Sequence, residues 1–114
     1  MKIQIEGQHL RVRIDEDELA RLLAADAIEA HTRFADAFAI GFELQLIEAE
    51  VAKLTGQANA WSIALPEAAV REHAGRLPTR DGLRFVLPGR SAEGALTLLF
   101  DVDVRDSVKR RRSS

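Results

Sequence analysis

A chain of 114 residues, 46% hydrophobic and 30% charged, has the size and make-up of one folded domain and lies outside the disordered class. It contains no cysteine, which excludes disulfides, thiolate metal sites and cysteine nucleophiles. The formal charge of −2 conceals an asymmetry: residues 1–50 carry 5 basic and 11 acidic side chains, residues 51–114 carry 11 and 7. Four of the positives form the run Lys109 to Arg112, and without it the folded part is acidic, the wrong sign for a phosphate-backbone partner. No apolar run reaches transmembrane length, and the N-terminus MKIQIEGQHLRVRI lacks a signal-peptide core, so a cytoplasmic location is expected.

In chain order, Ile3 and Ile5, then Leu10, Val12 and Ile14, alternate with polar residues on either side of Glu6-Gly7-Gln8-His9. Period two around a glycine that can take positive φ predicts a hairpin. Asp15 is a natural N-cap, and Glu18 completes a capping-box spacing. Leu19, Leu22, Leu23 and Ala27 then mark one helical face. The acids Asp15 to Glu18 have the look of a metal site, but capping and the helix dipole account for them.

From His31 to Ile47 the period returns to two, with Phe34, Phe38, Ile40, Phe42, Leu44 and Leu46 on one face. This fits one long strand, or two with a break near Asp36. Glu43 to Leu54 also fits a helical stripe, and strand–turn–strand is favoured because it echoes the first hairpin. Trp61, Ile63 and Leu65 mark a further strand. Pro66 at the first helical position starts a short helix over Ala68 to Ala74, which Gly75 caps. Strands follow at Leu83 to Leu87 and Ala95 to Arg105, joined by the turn Pro88 to Gly94.

The second half repeats the first. Leu10-x-Val12-x-Ile14 answers Trp61-x-Ile63-x-Leu65, Gly7-Gln8 answers Gly56-Gln57, and Thr32-Arg33-Phe34 answers Leu83-Arg84-Phe85. The expected class is α+β, mainly antiparallel, as a sheet or flattened barrel of two strand-strand-helix-strand-strand repeats with two helices. Residues 1–104 are expected to form a single domain with this internal duplication, about 1–50 and 51–104, and residues 105–114 a disordered basic tail.

Chemistry is sparse. There is no nucleophile elbow, Walker loop, dinucleotide fingerprint or H-E-x-x-H. His9, His31 and His73 lie in separate elements without ligand spacing and read as surface or turn residues. No catalytic residue, metal ligand or cofactor is expected. What remains is charge on strands. Arg11, Arg13, Arg84, Asp101, Asp103 and Arg105 are candidates to line a surface that holds a phosphorylated ligand, against the simpler reading of solvated faces with cross-strand ion pairs. Lys109, Arg110, Arg111 and Arg112 are candidates for weak, salt-sensitive nucleic-acid binding, a partner the acidic remainder does not favour.

The opening M-K-I-x-I-x-G-x-x-L-R-V-R-I, with the junction Ile63-Ala64-Leu65-Pro66-Glu67, resembles a family of small uncharacterised bacterial proteins over the chain up to about Val104. The resemblance implies a bacterial cytoplasmic protein and no established activity. The topology alone is similar to triphosphate-tunnel enzymes, which would imply metal-dependent triphosphate hydrolysis. Their E-x-E-x-K strand is replaced here by Lys2-x-Gln4-x-Glu6, so no metal ligand carries over. The expected function is a non-enzymatic interaction or regulatory protein that uses a protein partner or a homodimer, with no membrane role; phosphorylated-ligand binding is the alternative.

Overall fold

The computed structural model describes residues 1–104. Strands β1 (Lys2–Glu6) and β2 (His9–Asp15) lead into helix α1 (Glu16–Leu23), followed by β3 (Ile28–Phe34) and β4 (Phe38–Ile47). The same order returns as β5 (Lys53–Gln57), β6 (Ala60–Pro66), α2 (Glu67–Gly75), β7 (Leu83–Leu87) and β8 (Leu96–Asp103), with a 3-10 turn at Ala92–Gly94 before the last strand. The fold is α+β, and Glu43 to Leu54 is strand, turn and strand.

The local signals act as their chemistry dictates. Glu18 N–H donates to Asp15 Oδ1 at 2.7 Å and Asp15 N–H to Glu18 Oε1 at 3.1 Å, so the capping box starts α1. Glu18 Oε2 also accepts from the N-terminal ammonium at 2.7 Å. These carboxylates are occupied with backbone, not poised for a metal. Pro66 is displaced by one place from its expected role. It ends β6 and is the N-cap at ψ 121°, so the helix proper begins at Glu67 and runs through Gly75 to a cap at Arg76.

The eight strands form two four-stranded sheets, each mixed rather than purely antiparallel. The terminal sheet has the order β1-β2-β8-β7, and the middle sheet β3-β4-β6-β5. At the centre of each lies a parallel pair, β2 with β8 and β4 with β6. The halves are therefore interleaved: the first hairpin completes its sheet with β7 and β8. The link Glu48 to Ala52 carries the chain past β6 and places β5 on the far edge.

The pairings also correct the internal alignment. Leu10, Val12 and Ile14 lie opposite Leu98, Phe100 and Val102, as Trp61, Ile63 and Leu65 lie opposite Phe42, Leu44 and Leu46. That equates β2 with β6 as expected. The turn Gly7-Gln8, however, corresponds to Ala58-Asn59, because Glu6 pairs with His9 and Gln57 with Ala60. Gly56 lies inside β5, opposite Trp61, at φ +105°. Likewise Leu83 pairs with Phe100 as Ile28 pairs with Leu44, so Arg84 occupies the place of Glu29, not of Arg33.

One apolar core joins both sheets to both helices. Val12, Ile14, Leu22, Ile28, Leu44, Ile63, Leu65, Val70, Leu98 and Phe100 are essentially inaccessible to solvent and belong to one cluster. Each sheet turns alternate residues inward, as the two-residue period requires. Both helices lie against both sheets and close the core between them.

Candidate interaction surface

Of the candidate ligand residues, Arg11, Arg13, Arg84 and Asp101 fall on the outer face of the terminal sheet. Arg13 lies directly opposite Asp101, and Arg11 and Arg84 flank Leu99 from either side. Arg11 Nε and Arg13 Nε each donate to Asp101, at 2.9 Å to Oδ2 and Oδ1 respectively. Partial burial works to raise the Asp101 pKa. Hydrogen bonds from Arg13 and Arg11, and their charges, outweigh it and hold the carboxyl below its ordinary range. Asp101 thus stays ionised and locks the two guanidiniums to itself. Arg11 also borders an open trough of about 1070 Å³ beside the first hairpin, lined further by Gln4, Glu6, Gln8, His9 and Leu99.

Asp103 lies opposite Asp15, the cap of α1. Of the residues the sequence singled out, the structure brings Arg11, Arg13 and Asp101 together as an ion-paired group, with Arg84 one strand away, and sets Asp103 beside the helix entry. Arg105 and the run Lys109 to Arg112 lie outside the described residues.

A different surface is formed by the β3–β4 hairpin at one edge of the middle sheet. Phe34 and Phe38, the pair that closes this hairpin, are 44% and 59% exposed and stack at 4.8 Å between ring centroids. Alternation places both on one strand face with Leu44, but the core ends at Ile28 and Leu44. Beyond it Phe42 is half-buried edge-on against Trp61 at 5.1 Å. On the opposite face Glu29 lies against Glu43, two like charges side by side, and Arg33 lies against Ala39. Neither Glu29 nor Arg33 stood out in the sequence; only the register shows that Arg33 has no acid across from it on β4.

His73, expected at the surface, is buried at 2% exposure, its ring 6.3 Å from that of Phe100. It occupies the place that Leu22 holds in α1, one turn beyond the equivalent Leu19 and Val70, which is the signal that could have found it. Burial, and then Arg76, lower its pKa, with Asp101 opposing in part. The folded protein therefore takes up this proton less readily than the unfolded chain, whose histidine titrates near 6.5. Stability is complete above that value and falls as pH drops through it towards the folded pKa. His73→Leu should change stability at pH 8 by less than about 1.5 kcal/mol, as shape-conserving core exchanges do. Urea melts from pH 8 to 5 should then show a smaller loss than in the wild type; an unchanged pH profile would contradict the assignment.

No helix among the described residues is long and apolar enough to cross a membrane. A search of functionally curated proteins finds no match to the sequence. The family model that does match covers residues 1–103, the whole of the two interleaved sheets, and the chain belongs to the DUF7009 family of unknown function.

Proposed function

We propose that this chain is a small non-enzymatic interaction protein that binds another polypeptide along β3 and the β3–β4 tip. The observation that carries the reading is the exposed stack of Phe34 and Phe38 beside an unpaired sheet edge. Edge strands present a row of unused backbone donors and acceptors, and exposed aromatics supply the apolar anchor that strand addition needs. The phosphate-binding alternative is less well supported, because Asp101 already accepts from both Arg11 and Arg13.

The test is quantitative affinity capture with the wild type and a Phe34→Ser/Phe38→Ser variant, whose melting temperature should stay within a few degrees because both residues are exposed. A partner enriched about tenfold or more by the wild type over the variant is expected, the scale of losing one interface anchor. Equal capture by the two proteins would sink the reading. A thermal-shift panel of phosphorylated metabolites forms the second arm. A clear rise there, lost in Arg11→Ala, would move the function to ligand binding on the terminal sheet.

A further inference from the structure

We infer that β3 pairs with β3 of a second copy of this chain, antiparallel and centred on His31. The inference rests on the interaction reading and names its partner. In an antiparallel ladder, successive residues turn their backbone groups alternately to one neighbour and the other. Gly41 N–H is committed to Asn59 O at 2.8 Å on the β6 side, and His31 is the register partner of Gly41. The backbone groups of Glu29, His31 and Arg33 are therefore directed to the free edge. Centring the pair on His31 brings each of these groups opposite one that can answer it.

The side chains then match by symmetry. The register sets Glu29 against Arg33 of the partner and Arg33 against Glu29 of the partner, on one face. Ala30 meets Thr32 of the partner on the other. Within one copy Glu29 lies beside Glu43 while Arg33 has only Ala39 across from it. The second copy brings its arginine to the two glutamates, cutting the charge of that row from −2 to −1. A two-fold interface requires such self-complementarity, and two copies of the middle sheet become one continuous sheet. Phe34 of each copy, exposed in the single copy, comes to lie beside Ile28 of the other.

Strand β1 offers a similar pattern, with Lys2 and Glu6 two residues on either side of Gln4. Three features favour β3. The charge next to Lys2 is Arg13, which is already ion-paired with Asp101, whereas Glu29 and Glu43 have no cation across from them within one copy. β1 is also five residues long against seven for β3, and carries no exposed aromatic pair.

The test is mass by light scattering over a dilution series, with charge exchange across the two-fold. The wild type should reach about 25 kDa at high concentration, twice the 12.6 kDa of the chain, and fall towards one copy on dilution. Glu29→Arg and Arg33→Glu should each weaken association by about tenfold or more, because the two-fold makes two charge pairs repulsive at once. The double variant, which restores the pairing with reversed sign, should recover most of it. Circular dichroism checks that every variant folds.

A wild type that is a single copy at every concentration would overturn the inference, yet leave the interaction reading intact if the aromatic-dependent partner is still captured. A dimer that ignores both β3 exchanges, or that Lys2→Glu breaks instead, would also overturn it by placing the contact elsewhere.

Discussion

Phe100→Ala is expected to lose about 3–5 kcal/mol, the range for emptying a fully enclosed aromatic site. Phe100 has no solvent exposure, pairs with Val12 and Leu83 across the terminal sheet, and meets His73 from α2. It therefore touches both halves of the chain. A domain of this size has about 5–15 kcal/mol in total, so the variant should be visibly unfolded in mild denaturant. Leu44 holds the equivalent place in the middle sheet, and Leu44→Ala should cost about 2–5 kcal/mol. Urea titrations with an unchanged slope would read both. A loss below about 1.5 kcal/mol for Phe100→Ala would mean that the two sheets do not share one core.

The second large effect is expected at Gly56→Ala. A methyl group there would lie 2.1 Å from the carbonyl oxygen of Ala60, and φ is +105°, a backbone angle that L side chains rarely adopt. The obstacle is backbone on the paired strand, so relief requires β5 to move away from β6. The expected cost is about 3 kcal/mol, the upper end for forced backbone strain, with a fall in melting temperature of about 10 °C or more. Gly7 is the control. It also has positive φ, +55°, but open space surrounds its missing side chain, so Gly7→Ala should cost only about 1 kcal/mol. Equal melting temperatures for the two variants would show that the close approach to Ala60 does not hold.

The contrast between these glycines shows what the sequence could and could not convey. Both sit next to a glutamine before an alternating strand, so they read as one repeated feature. Strand pattern fixes which face a residue occupies, but not which strand lies beside it. The capping box, the face of β2 and the boundary between β4 and β5 depend on neighbours within a few residues, and all were legible. The pairing of β2 with β8 joins residues about 88 positions apart, and no local signal specifies it. The same limit governed the surface. Arg11, Arg13 and Asp101 were recognisable as charges on exposed faces, but their union follows from the parallel register. Alternation put Phe34 and Phe38 on one face with Leu44, but it cannot show how far along that face the core extends. His73 was misplaced for a related reason: an imidazole in a short helix looks like surface until Leu22 is seen to hold the equivalent place.

The nesting of the two sheets bears on how the chain emerges during synthesis. The middle sheet is built from consecutive strands, β3 to β6, and its partners are all present once residue 66 has been made. The terminal sheet brackets it with strands made before and after it. The first hairpin precedes the middle sheet, yet must wait for β8, which follows it, before its inner strand has a neighbour on both sides. Until then Leu10, Val12 and Ile14 have only β1 beside them. Loop closure over so long a span is slow compared with local pairing, so the hairpin that begins the sequence is among the last pieces to be locked in place. A nascent chain of this design carries its own unmatched strand from the making of β2 until β8 follows, the stage at which a chaperone or a neighbouring copy would find it most accessible.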